Sequence, residues 1–265
     1  MKFSIITVTY NDLENLKKTV KSILSQSFED FEYIIVDGAS NDGTQEYLKS
    51  IDDKRIRWIS EKDNGLYDAM NKGSNLANGD FALFLNAGDK FFSEDVLNRV
   101  AKKIKEDKIY FGRAKIISDE GISWFYPGFD VKNYKNWVKF SLPNHQSIFF
   151  PKKCYKNIKY DNRLKIGADD DYKLEAFKKF NYEFLDEVIV TFKRDGVSAN
   201  HKNFKLYTQR IKESFIRNKK HKRYIRFFID PFKISFMFFI NKVFGDKVFL
   251  RFVKIIVSIK NKGLG

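Results

Sequence analysis

Apolar runs of strand length alternate with amphipathic segments through the first 90 residues. Phe3 to Thr9, Phe31 to Asp37 and the run at 81–85 carry few polar interruptions, as strands covered on both faces of a parallel sheet do. Behind the first run, Asn11 or Asp12 suits a helix N-cap, and Leu13, Leu16, Val20, Ile23 and Leu24 follow at helical spacing. A second helix with Tyr47, Leu48 and Ile51, a strand at 55–60 and a helix at 67–77 continue the alternation. Such βα units predict right-handed crossovers and a doubly wound, mostly parallel α/β sheet with ligands at the strand C-terminal ends.

After Asp89 the rhythm changes. A helix over 94–104, strands at 109–117, 122–125, 147–150 and 184–192, and a helix over 172–180 are predicted, with an aromatic stretch between the second and third of these strands. Residues 1–200 read as one domain in two halves, 1–105 and 106–200. With 43% hydrophobic and 17% aromatic residues, the chain has material for a sizeable core.

Charge sharpens that division. The net charge of +15 falls almost entirely on 201–265, which holds 17 Lys and Arg against 3 Asp and Glu. A uniformly basic nucleic-acid-binding body is thereby excluded. In the tail, cations interleave with Phe227, Phe228, Phe232, Phe236, Phe238 and Phe239, then with Phe249, Phe252 and Ile255. Pro231 and Gly245 are expected to divide it into helices lying in an anionic headgroup region. Packing on the body or on a second copy in a homodimer, and binding of single-stranded nucleic acid, are the alternatives.

No apolar run reaches the roughly 18 residues of a spanning helix. The N-terminal run is too short for a secretion signal and reads as a buried strand. Cys154 is the only cysteine, which excludes an internal disulfide and fits a reducing compartment. The expected place is cytoplasmic, peripheral at the inner face of the cell membrane.

Candidate chemistry collects at strand ends. Thr9, Tyr10 and Asn11 end the first strand, Asp37 the second, and Asn86 to Asp89 the fourth. Each is also an ordinary turn or cap residue. In a doubly wound sheet the three ends converge on one crevice, with the makings of a nucleotide site.

The ordered blocks SIITVTYN, YIIVDGASNDGT, SEKDNGLYDAMNKG and ANGDFALFLNAGD resemble the N-terminal half of family 2 glycosyltransferases, inverting enzymes of the GT-A fold. Within that family they are most similar to bacterial polysaccharide and exopolysaccharide transferases. The resemblance is strong over 1–90 and looser to 200. It implies a GT-A-type, Rossmann-like sheet, with 1–105 binding a nucleoside-diphosphate sugar, expected to be a UDP-sugar, and 106–200 facing the acceptor.

By the same resemblance Asp37 holds the base, and Thr9, Tyr10 and Asn11 lie against the nucleoside. Asp63 and Lys72 become polar contacts to ribose and diphosphate. Asn86 replaces the first carboxylate of the family's metal motif and Gly88 occupies its third position. Asp89 is left to meet a divalent metal, Mn or Mg, whose remaining ligands come from the diphosphate.

KIGADDDYKLEAF resembles the family's second signature. It implies that Asp169 takes the proton from the acceptor hydroxyl and that Asp171 begins a helix. Adjacent carboxylates repel, which raises at least one pKa; the same acids equally suit a helix N-terminus. His145 and Gln146 in LPNHQSIFF either orient acceptor or phosphates or serve the core, and His201 is a further candidate metal ligand. The expectation is an inverting, metal-dependent transferase extending a saccharide, expected to be lipid-linked, in cell-surface polysaccharide biosynthesis. A non-catalytic sugar-nucleotide-binding protein and a membrane or nucleic-acid adaptor are the alternatives.

Overall fold

A computed structural model describes residues 2–118, 121–194 and 203–263, so His201 lies outside the described residues. The first half runs β1 (Phe3–Thr9), α1 (Leu13–Leu24), β2 (Phe31–Asp37), α2 (Thr44–Ser50), β3 (Ile56–Ser60), α3 (Leu66–Leu76) and β4 (Phe81–Phe84). The second continues with β5 (Lys90–Phe91), α4 (Val96–Lys103), β6 (Ile109–Ser118), β7 (Ser123–Tyr126) and α5 (Tyr134–Phe140). A 3-10 turn (His145–Ser147), β8 (Ile148–Pro151), α6 (Lys152–Asn157), α7 (Ala168–Lys179) and β9 (Tyr182–Arg194) complete the body. Two helices, α8 (Phe204–Lys220) and α9 (Tyr224–Gly263), follow.

The described strands form one mixed α/β sheet in the order β3-β2-β1-β4-β8-β6-β9-β5, with β7 beside β6. The first four are parallel, and β8 reverses direction against β4. Register brings Thr9 level with Asp37, and Asp37 level with Ser60, so the tips of β1, β2 and β3 end in one row.

The uninterrupted apolar runs are explained by two core layers. Phe3, Ile5, Tyr33 and Ile35 face one layer, with α1 and α4, while Ile6, Val8, Ile34 and Val36 face the other, with α3, α6 and α7. Side chains alternate across a strand, so only a strand apolar at both parities can be covered on both sides.

Several features depart from the sequence expectation, among them the short β5 and α6, which the pattern did not predict. Helix α7 starts at Ala168, three residues before Asp171, which was expected to begin it, and four before the predicted 172, because its first turn is polar and shows no apolar stripe. α5 was hidden in the aromatic stretch, where Trp137 and Val138 are buried among other rings. In α9 only Gly245 has a non-helical backbone, at φ +76°, a conformation open to glycine. Pro231 stays inside the helix, where it removes one amide without ending it.

The basic tail is not simply appended. Glu213, Ser214 and Asn218 of α8 are buried, and Phe249 and Leu250 of α9 enter the core layer that holds β1 and β2. Another face of α9 is open: Ile225, Phe228 and Phe232 are each about three-quarters exposed. Among the described residues no helix is long and apolar enough to cross a membrane.

Candidate active site

A crevice of about 930 Å³ opens between the tip of β4 and the start of α7. It brings together Asn86, Gly88 and Asp89 from the first half, and His145, Gln146 and Asp169 from the second. Thr9, Tyr10, Asn11, Asp37, Asp63 and Lys72 do not line it.

Thr9, Tyr10, Asn11, Asp37 and Asp63 belong to the rim formed by β1, β2 and β3. Asp37 has no exposed surface; its carboxylate accepts the Ser40 amide at 3.1 Å and the Ser60 hydroxyl at 2.6 Å. These bonds tie β2 to β3 and to the following turn. Next to it, Gly38 packs so closely that a Cβ there would meet Asp63 Oδ2 at 2.8 Å and the Tyr10 ring at 3.1 Å. Asn11 joins this rim to the same turn: its amide donates to Ser40 Oγ at 2.7 Å and its side chain accepts the Asn41 amide at 2.9 Å. Thr9 Oγ1 is buried without a partner. Lys72 pairs with Glu61 at 2.7 Å and donates to the Lys62 carbonyl, away from the crevice.

The Asn86 to Asp89 turn is held by α1. Gly88 takes φ +96°, and its amide donates to Thr19 Oγ1 at 3.0 Å. The same hydroxyl donates to the Asp89 carbonyl at 2.8 Å. Asn86 Oδ1 is buried and unpartnered, and Asp89 is only 5% exposed. An amide oxygen and a carboxylate at one turn are hard donors that fit a Mg- or Mn-sized cation. Among the described residues no group of three or more His, Cys, Asp or Glu could hold a metal ion.

Across the crevice, Asp169 and Asp170 occupy the first turn of α7 and share Lys173, one turn on, at 3.4 and 3.0 Å. Asp169 also accepts from the Tyr67 hydroxyl at 3.3 Å. Desolvation and the Asp170 charge push the Asp169 pKa up, outweighing Lys173. Burial also opposes ionisation of Asp170, but Lys173 and Arg217 prevail and hold its pKa well below the carboxylate range. Two neighbours thus acquire different chemistry: Asp170 is a fixed anion, and Asp169 is the more basic carboxylate.

His145 is buried, stacks on Phe84 at 5.2 Å and meets the Tyr160 hydroxyl through Nε2 at 2.8 Å. Burial, aided by Lys173, pushes its pKa down to about 3, so the ring is neutral. Gln146 lines the crevice beside it. Asp171 turns elsewhere: fully buried, it accepts from Lys220 at 2.6 Å and pairs with His221 at 2.8 Å, pinning α7 to the end of α8. Its pKa is lowered because these two cation-capable partners outweigh burial, the largest opposing effect.

Sequence reasoning missed the contribution of α8. Arg210, Glu213 and Arg217 line the crevice. The buried Glu213 carboxylate accepts the amides of Lys165, Ile166 and Gly167 at 2.7, 3.1 and 2.8 Å, three backbone donors of the loop that leads into α7. A lone glutamate between cations gives no such signal in sequence, because its partners lie 46 to 48 residues away.

Comparison with known proteins agrees with this architecture. An uncharacterised glycosyltransferase of Mycobacterium tuberculosis is 29% identical over 204 residues, covering 74% of this chain and 77% of its own. A PGL/p-HBAD biosynthesis glycosyltransferase of Mycobacterium bovis is 30% identical, covering 75% and 79%. An uncharacterised glycosyltransferase of Methanocaldococcus jannaschii is 28% identical, covering 98% and 93%.

Among solved structures, residues 1–349 of Staphylococcus aureus TarS in complex with UDP-GlcNAc superpose with a TM-score of 0.65 at 19% identity. The match covers 82% of this chain and 66% of the TarS chain, so this chain spans just under two thirds of that length. The mannosyltransferase PcManGT from Pyrobaculum calidifontis, in complex with GDP-Man and Mn²⁺, gives 0.59 at 16%, covering 84% and 64%. At such identities these likenesses show the fold, a GT-A arrangement. The family model for glycosyl transferase family 2 matches residues 4–180, a stretch that includes both the Asn86 to Asp89 turn and Asp169, and the chain belongs to that family.

Proposed function

We propose that the protein transfers a sugar from a nucleoside-diphosphate sugar, a UDP-sugar, to a hydroxyl of a lipid-linked saccharide in cell-surface polysaccharide biosynthesis. The observation that carries this reading is the crevice itself, which sets the Asn86 to Asp89 turn against Asp169. The donor base and ribose lie on the rim of Tyr10, Gly38 and Asp63, with Asp37 fixing that rim from within. The diphosphate reaches Asn86 and Asp89, which would hold a Mg or Mn ion whose role is to neutralise the leaving diphosphate.

The chemistry is a single inverting displacement. Asp169 accepts the proton of the acceptor hydroxyl as the oxygen forms its bond to the anomeric carbon. The bond to the diphosphate breaks on the opposite face, and the nucleoside diphosphate leaves with that electron pair. The raised pKa of Asp169 supports the role, since a base must compete for the proton it removes. Lys173 keeps the carboxylate oriented, and neutral His145 adds no charge.

The exposed aromatics and cations of α9 support a peripheral site of action at the inner face of the cell membrane. A thermal-shift screen of nucleotide sugars with Mn²⁺ and Mg²⁺ tests the donor assignment, because a donor that binds the native state stabilises it in proportion to its affinity. One sugar nucleotide raising Tm in a metal-dependent way is the expected result; none doing so would overturn the assignment.

A further inference from the structure

Behind the crevice lies a second cavity, of about 400 Å³, walled by α5, α7, α8 and the first part of α9. Lys139, Arg210, Arg217, Arg223, Arg226 and Lys233 line it against two carboxylates, Asp170 and Asp230. Both carboxylates already face cations. Asp170 meets Lys173 at 3.0 Å and Arg217 at 3.7 Å, and Asp230 meets Arg226 at 3.6 Å. The cavity therefore carries a concentrated positive charge in a partly desolvated place. Burial lowers the pKa of Arg210 and Arg223, and for Arg223 the guanidinium groups of Arg226 and Arg217 add to the effect. Guanidinium groups converging from two helices match the planar, forked recognition of phosphate oxygens.

Two further features narrow the ligand. Tyr126, Leu142, Asp170, Arg210, Arg217 and Ile234 line both the cavity and the crevice, so the two are neighbours on the acceptor side of α7. Val138, Leu174 and Met237 give the cavity an apolar wall beside its cations. The exposed Phe228 and Phe232 lie on the same part of α9 that supplies Arg226 and Lys233. A pocket cationic on one side, apolar on the other and close to exposed aromatics suits an amphiphile.

We propose that this cavity is an acceptor subsite, in which the arginines hold a phosphate or diphosphate ester carried by the acceptor while the attached sugar extends toward Asp169. The assignment deepens the transferase reading and rests on it for the word acceptor. The anion site itself does not depend on that reading.

The test is binding, on the full chain, of three probes: inorganic pyrophosphate, farnesyl diphosphate and farnesol. Each is titrated with and without saturating UDP, into the unaltered protein and into an Arg223→Gln, Lys233→Gln double variant. These two residues line the cavity and not the crevice, and circular dichroism and donor binding show whether the variant is folded. The expected result is diphosphate binding that persists at saturating UDP and weakens at least tenfold in the folded variant, with farnesol bound poorly.

Farnesyl diphosphate binding tighter than pyrophosphate supports a lipid-borne ester, and equal affinities support a free or polymeric phosphate acceptor. Competition of pyrophosphate with UDP for one site, or equal binding by the folded variant, overturns the proposal. UDP binding without a second anion site would sink the subsite and spare the transferase reading. A second anion site without any nucleotide binding would do the reverse.

Discussion

Removal of the Glu213 carboxylate measures how far α8 belongs to the active site. The side chain is 2% exposed and accepts three backbone amides from 165–167, immediately before α7. Hydrogen bonds to a charged acceptor contribute about 1.5–3 kcal/mol each, and three sharing one carboxylate are not additive, so Glu213→Ala should destabilise by about 4 kcal/mol. At about 2–4 °C per kcal/mol for a domain this size, Tm should fall by roughly 8–16 °C. Glu213→Gln keeps one acceptor oxygen and should lose about half as much. Urea denaturation followed by circular dichroism gives the free energies. Because 165–167 lead directly into Asp169, kcat should fall in Glu213→Gln while donor affinity holds. Both variants within about 1 kcal/mol of the parent, with kcat unchanged, would refute the view that α8 builds the site.

The two carboxylates on Lys173 should respond oppositely to neutralisation. Asp170 has a depressed pKa, so its stabilisation is present above the unfolded value of about 3.9 and disappears as pH falls through the folded one. Asp170→Asn should accordingly lower Tm at pH 7 and remove part of the acid-induced loss seen in thermal melts. Asp169 has a raised pKa, so its ionised form opposes folding above that pKa, and Asp169→Asn should leave Tm at pH 7 equal or higher. Asp89→Ala should abolish the metal-dependent part of donor binding in calorimetry while the metal-free part remains. A Phe228→Ser, Phe232→Ser variant should lose pelleting with anionic vesicles, given the exposure of both rings, and keep its melting temperature.

The parallel half of the fold was legible because its signals are local: β1, β2 and β4 are apolar at both parities, and α1 shows its stripe beside a cap residue. The site was legible where polar residues interrupt such runs, as at Asn86 to Asp89. It was not legible where a side chain serves residues far away in sequence. Asp37 announces itself at a strand end, but its bond to Ser60 of β3, 23 residues on, has no local sequence signal. The acids at 169–171 look alike in sequence, but Lys173, Arg217 and the pair Lys220 and His221 assign them different work. The tail's charge read as a surface property, whereas Arg210, Glu213 and Arg217 line the crevice.

The proposed base is Asp169, which would accept the proton of the acceptor hydroxyl as the sugar is transferred in this crevice. Turnover of Asp169→Asn against the parent enzyme, at saturating donor and across pH, tests it most directly. The expected result is a loss of about 10²–10⁴-fold with donor affinity unchanged. The parent's acid limb should also lie above the ordinary carboxylate value of about 3.9 and be missing in the variant. Turnover retained by Asp169→Asn, with the acid limb in place, would contradict it.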